Sequence, residues 1–184
     1  CSHVTVSVVK LLGRIVSGGQ DASGSRSTQK GMKHRQTYGI TSDPLTQFAC
    51  VFSALIHDTG HTGVPNGQLA KEFPRIANKY RNQSIAEQRS VDIAWELLMA
   101  PCFSNLRKWI FWTREDRDLF RQLVVNSVMA TDIFDPELGA LRKARWEKAF
   151  LSEKPEQPVL VEDVNRKATI VIEHLIQASD VAHT

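Results

Sequence analysis

Imidazoles and carboxylates stand close together in Leu55-Ile56-His57-Asp58-Thr59-Gly60-His61-Thr62-Gly63-Val64-Pro65-Asn66, where an apolar helical run stops on two adjacent ligand-type side chains. A nitrogen donor followed at once by a carboxylate, with a second imidazole three residues further on, is a metal-binding pattern. The mixture suits zinc and, through the carboxylate, magnesium or manganese. A His-Asp pair can also simply close a helix, the imidazole meeting the last carbonyls while the carboxylate turns into a loop. Gly60, Gly63, Pro65 and Asn66 favour the metal, because they fold a tight turn around three potential ligands.

Two further helical runs end on acids, at Thr131-Asp132 and at Ala178-Ser179-Asp180. Asp180 follows an apolar helix and lies among the small residues Ala178, Ser179 and Ala182, which let a metal or substrate approach the backbone. A buried carboxylate is strongly disfavoured there unless it is paired or metal-bound. Glu87 belongs to Ser84-Ile85-Ala86-Glu87, which reads as a capping box and gives the glutamate a structural role as well.

Helices must position these groups. Val4, Val8, Leu11, Leu12, Ile15 and Val16 fall at helical spacing and predict an amphipathic first helix. Residues 17–36, rich in Gly, Ser, Lys and Arg, predict a mobile surface loop. Ser42-Asp43-Pro44 starts the helix that delivers His57 and Asp58, with Leu45, Phe48, Phe52, Leu55 and Ile56 as its expected buried face. Gln68–Tyr80 reads as helical with a break at Pro74, and Val91, Ala94, Trp95 and Leu98 carry the next helix towards Pro101.

Thr113-Arg114-Glu115-Asp116 resembles a second box-like start, followed by Leu119, Phe120, Leu123, Val124, Ser127 and Val128. Asp135-Pro136 opens another helix, whose face of Arg142, Lys143, Arg145 and Lys148 is expected to be solvated. The last helix runs from about Asp163 on a stripe of Val164, Ala168, Val171, Ile172, Leu175 and Ile176. No stretch alternates with period two, so the expected fold class is all-α.

A chain of 184 residues with 42% hydrophobic composition can bury a core, and 1–184 reads as one domain or part of one. The net charge of +3 and pI near 8.9 come without a dense Lys/Arg cluster, which argues against nucleic acid and leaves an anionic small molecule compatible. Cys1, Cys50 and Cys102 contain no CxxC pair, so a reducing compartment is favoured, and Cys50 falls in an apolar run expected in the core. No run approaches the roughly 18 apolar residues of a membrane span, so no membrane contact and a cytoplasmic location are expected. The chain starts at Cys1 directly in helical periodicity and breaks off after a helix, which reads as an excised piece.

Four ordered blocks then resemble the class I 3′,5′-cyclic nucleotide phosphodiesterase catalytic domain: His57 to Asn66, Tyr80-Arg81-Asn82-Gln83-Ser84-Ile85-Ala86-Glu87, Ala130-Thr131-Asp132 and Ala178-Ser179-Asp180-Val181-Ala182-His183. The resemblance implies a compact multi-helix domain, truncated here at both ends. It also implies two divalent metals, zinc in the tighter site and magnesium or manganese in the other. His57, Asp58 and Asp180 would be metal ligands, with Asp58 bridging both ions.

By the same resemblance His61 would orient water and carboxylates near the metals, Glu87 would stand beside metal-bound waters, and Asp132 would lie near the second metal's water shell. His183 occupies the place of an asparagine near the nucleotide base. The implied activity is metal-dependent hydrolysis of cyclic AMP or cyclic GMP to the 5′-monophosphate, in signal transduction, with regulatory domains flanking the segment.

Departures qualify the likeness. The family's general acid and a further histidine ligand would lie immediately before Cys1, and its base-holding glutamine beyond Thr184, so the segment alone should be catalytically crippled. Gln88-Arg89-Ser90 stands where the family shows Asn-His-His, which leaves Arg89 to meet a carboxylate or phosphate. Two other readings fit the same residues: a degenerate nucleotide-binding regulatory module without turnover, and a general HD-type phosphohydrolase.

Overall fold

The computed structural model describes residues 2–17, 40, 43–151 and 161–182, and all its regular elements are helical. In chain order they are α1 (Ser2–Ser17), α2 (Pro44–Ile56), α3 (Asn66–Glu72), α4 (Pro74–Lys79), α5 (Ile85–Met99), a 3₁₀ turn (Pro101–Phe103), α6 (Ser104–Ile110), α7 (Arg114–Met129), α8 (Pro136–Phe150) and α9 (Val161–Val181). The all-α expectation holds. Ser17 closes α1, and the rest of the loop expected over 17–36 lies outside the described residues, as does His183.

Helix starts follow the local chemistry. Asp43 caps α2 by accepting the Leu45 N–H at 3.1 Å, with Pro44 in the first helical position. Asp135 does the same for α8 through the Glu137 and Leu138 N–H groups. Thr113 and Asp116 form a reciprocal capping box on α7, at 3.0 and 2.9 Å. Pro74 divides α3 from α4.

The centre of the fold is α2, which packs on α1 and on α7. One of its faces joins Val4, Val8 and Leu12 of α1 and Ile172, Leu175 and Ile176 of α9, with Cys50 and Ala54 in contact. The other joins Val91, Ala94 and Leu98 of α5 and Phe120, Leu123, Val124 and Val128 of α7, through Ala49 and Ile56. A smaller cluster of Leu69, Ala77, Tyr80, Ile85 and Ala86 ties α3 and α4 to the start of α5.

This double burial overturns part of the expected stripe on α2. Ile56 is buried as expected, but Phe48 and Leu55 are exposed, at 40% and 54%, because the other buried positions are Thr46, Ala49, Cys50, Ser53 and Ala54. Small side chains let two neighbouring helices approach one helix from both sides. Leu119 is likewise exposed on α7.

The capping box expected at Ser84 is absent. Ser84 has φ +39°, after Arg81 at +55° and Asn82 at +58°, and makes no side-chain cap. The Ala86 N–H instead donates to Asn66 Oδ1 at 2.9 Å. Nor is the basic face of α8 simply solvated: Arg145 pairs with buried Glu173 at 3.0 Å, and Arg142 donates to the Asp132 carbonyl at 3.1 Å. The 3₁₀ turn and α6 had no counterpart in the sequence reading.

Candidate functional site

His57 closes α2, its backbone N–H donating to the Ser53 carbonyl at 2.9 Å. The ring is buried, and Nδ1 lies 2.9 Å from the Ala54 carbonyl. A carbonyl can only accept, so Nδ1 carries a proton and Nε2 is the ring atom left to face other groups. The chain then turns: Thr59 N–H donates to the Ile56 carbonyl and His61 N–H to the Asp58 carbonyl. Gly60 and Gly63 take φ of +74° and +81°. At Gly60 the positive φ favours glycine, and a Cβ there would also displace the tip of the Ile93 side chain, Cδ1, at 2.9 Å.

Asp58, in this turn, and Asp180, near the end of α9, bring carboxylate oxygens to 3.1 and 3.2 Å from His57 Nε2. Neither contact has hydrogen-bond alignment, and Nε2 is a buried nitrogen without a hydrogen-bond partner. Burial works against a charged imidazole, yet Asp180, Asp58 and the Ala54 carbonyl outweigh it and push His57 up to about 10. His57 in turn holds the Asp58 carboxyl below the usual range.

A bare lone pair on Nε2 would repel the two carboxylates, and the arrangement is relieved by a shared cation, either a proton on Nε2 or a metal ion. The ligand atoms of His57, Asp58 and Asp180 all lie within 4.8 Å of one another. Donors bound at about 2.1 Å around a tetrahedral ion stand roughly 3.4 Å apart, close to the two distances measured here. The donor set therefore fits a divalent cation.

A second group of acids is organised around Asn66, the first residue of α3. Its Nδ2 donates one hydrogen to Glu87 Oε2 at 2.9 Å and the other to Asp132 Oδ2 at 3.2 Å. Asp132 is buried, and its Oδ1 accepts the Phe134 and Asp135 N–H groups at 3.3 and 3.2 Å. Burial pushes the Glu87 carboxyl up, while the Asn66 amide pulls it back. His61 is exposed, and its Nδ1 accepts the Gly63 N–H at 3.0 Å. Asp58, His61, Asn66, Glu87, Asp132 and Asp180 all face one open cavity of about 620 Å³.

Five predicted site residues thus meet His57 at one place, and Arg89 is not among the residues lining the cavity. Three holding residues were not foreseen. Ser90 Oγ donates to the Thr59 carbonyl at 3.0 Å and pins the turn after α2 to α5. Gln177, one turn before Asp180, donates to the Ala130 carbonyl at 2.6 Å, and Arg142 takes the carbonyl of Asp132 itself. These last two cap the end of α7 and fix Asp132 relative to Asp180. The signal for Gln177 was its helical register with Asp180; Ser90 gave none.

A family model described as 3′5′-cyclic nucleotide phosphodiesterase matches residues 26–184. The chain belongs to this family. Among relatives of this phosphodiesterase-family chain, the probable 3′,5′-cyclic-AMP phosphodiesterase pde-4 of Caenorhabditis elegans is 32% identical over 89 residues, 48% of this chain and 13% of that protein. The human dual specificity calcium/calmodulin-dependent 3′,5′-cyclic nucleotide phosphodiesterase 1C is 36% identical over 89 residues, 48% of this chain and 12% of its own length.

Among solved structures, the phosphodiesterase domain of the RhoPDE fusion protein from the choanoflagellate Salpingoeca rosetta gives a TM-score of 0.59 at 17% identity, covering 96% of this chain and 61% of that one. LmjPDEB1 in complex with IBMX gives 0.57 at 23% identity, covering 84% and 44%. These two likenesses are of fold. Among the described residues, no helix is long and apolar enough to cross a membrane.

Proposed function

We propose that, within the complete protein, this chain supplies the metal-holding part of a phosphodiesterase that hydrolyses 3′,5′-cyclic nucleotides to 5′-monophosphates. The observation that carries the reading is the orphaned, buried Nε2 of His57 facing the carboxylates of Asp58 and Asp180. Membership of the family supports the substrate class.

His57, Asp58 and Asp180 would hold the cations, zinc in the tighter site and magnesium or manganese in the other. Bound there, such ions neutralise a phosphodiester anion and lower the pKa of water. The chain's own residues do the rest. Nδ1–H of His57, tied to Ala54, keeps the imidazole in the ligating tautomer. Glu87 and Asp132, spaced by Asn66, offer acceptors on the far side of the cavity to orient the attacking water.

In the reaction, a water oxygen bonds to phosphorus as the bond to the 3′ oxygen breaks. The water gives up a proton, the 3′ oxygen gains one, and the 5′-monophosphate leaves. His61, which lines the same cavity, would hold water near Asp58, and by the family resemblance His183 would approach the base.

The test is hydrolysis of cyclic AMP and cyclic GMP by the full-length protein after chelation and again after zinc and magnesium are restored. Metal-dependent release of 5′-monophosphate is expected. Unchanged turnover in Asp58→Ala or Asp180→Ala would overturn the reading.

A further inference from the structure

Glu173, Gln177 and Asp180 stand at i, i+4 and i+7 on α9, so they share one face over two turns. Each faces a different helix. Glu173 meets Arg145 of α8, Gln177 donates to the Ala130 carbonyl at the end of α7, and Asp180 faces His57 at the end of α2. On α8, Arg142 and Arg145 are one turn apart. Arg142 donates to the Asp132 carbonyl at 3.1 Å, and Arg145 Nη1 reaches both oxygens of Glu173, at 3.0 and 3.3 Å. These contacts close a ring through the end of α7, α8 and α9, with Asp132 and Asp180 both on it.

Glu173 is 3% exposed and is not among the residues lining the cavity of Asp58, Glu87 and Asp132. Burial pushes its carboxyl up while Arg145 pulls it back, as in a buried ion pair whose desolvation offsets much of its attraction. Elsewhere on α9, Ile172, Leu175 and Ile176 pack with α1 and α2 through apolar contacts. Apolar burial is non-directional, whereas a guanidinium against a carboxylate has a defined geometry. The pair thus adds little to stability and much to direction, the property needed to locate a helix.

We propose that Arg145 and Glu173 are positioning residues for the metal-facing acids. The pair sets α9 against α8, and so sets Asp180, carried by α9, against Asp132, which α8 holds through Arg142. A displacement of about 1 Å in such a set of side chains is enough to weaken it. The inference deepens the proposed function and rests on it, since the acids it places are the ones read there as holding metal and water.

The test measures the manganese affinity of the full-length protein by titration calorimetry, beside its thermal midpoint. Arg145→Met combined with Glu173→Met replaces the pair by apolar side chains of similar length. Glu173→Met alone leaves Arg145, whose side chain is 41% exposed, to turn to water, so neither variant strands a buried charge. Both are expected to lose about 10-fold in manganese affinity, with the midpoint of the double variant unchanged or raised. Glu173→Gln, which keeps an acceptor for Arg145, should stay within about 3-fold of the native affinity. Ile170→Val trims the buried face of the same helix and should lower the midpoint while leaving the affinity unchanged. Native affinity in either methionine variant overturns the proposal. So does a loss in Ile170→Val or Glu173→Gln as large as in the methionine variants. Manganese affinity is read apart from turnover, which keeps failure of this pair distinguishable from failure of the enzymatic reading.

Discussion

At one end of the cavity, a buried imidazole nitrogen faces two carboxylates and has no hydrogen-bond partner. At the other end, Asn66 gives one N–H to each of two acids, and the second oxygen of Asp132 is filled by backbone amides. The same residue types thus make two different things. Groups of like polarity are stable only when a cation joins them, whereas acids already bridged by a donor hold their geometry in the protein alone and still have lone pairs for water.

The sharpest way to break this comparison is Asp180→Ala. It removes a donor from the unsatisfied end, and manganese affinity of the full-length protein, read by titration calorimetry, should fall by roughly 100-fold or more. Retained affinity would mean that the three side chains converge for some other reason. Asn66→Ala attacks the scaffold instead, removing both acid contacts and the Ala86 cap. A loss of about 2–3 kcal/mol in urea unfolding is expected, with manganese affinity changed only a few-fold. If metal binding collapsed as it does in Asp180→Ala, the division between the two ends would be wrong.

Gln177→Met probes the link between them. It keeps the shape of the side chain but loses the donor to Ala130, so about 1 kcal/mol of stability and up to about 10-fold in manganese affinity should go. Gln177→His, which retains an N–H, should restore part of the affinity; no difference between the two variants would make Gln177 a packing residue only.

The smallest effect is one of pH, at Glu173, far from the acids of the cavity. Burial pushes its carboxyl up, while Arg145 pulls it down. A raised folded pKa means that its contribution is full below the unfolded value and is lost as pH rises through the folded one. Thermal midpoints measured between pH 4 and 7 should therefore fall more in the native chain than in Glu173→Gln. Parallel curves would show that the ion pair fully offsets the burial.

How much of this could be read from residues alone depended on whether a pattern was local. His57, Asp58, Asp180, Glu87, Asp132 and His61 all reach the cavity region as expected, because adjacency and helix ends place them. Asn66 was legible only as a turn former, since its role depends on α3, α5 and the end of α7 meeting in space. Ser84 misled for the reverse reason. Its capping signature is local and sound, but three positive φ values in the preceding loop and at Ser84 itself send its hydroxyl elsewhere, and Asn66 takes the amide.

The helical register was reliable where one face met one core. On α2 it pointed rightly to Ile56 but also to Phe48 and Leu55, whereas the remaining buried positions are small residues between two clusters. On α6 Leu106 and Trp109 are exposed and only Ile110 packs on the core, too few core-facing positions to reveal the helix.

The position of α2 between those clusters has a consequence for folding. Cys50 and Ala54 belong to one cluster, Ala49 and Ile56 to the other, so neither can come apart without stripping a side of the same helix. Such a shared element makes unfolding cooperative, and His57 rides on its last turn. The buried imidazole of His57 is consequently assembled and lost together with the global fold, with no separate melting of its own.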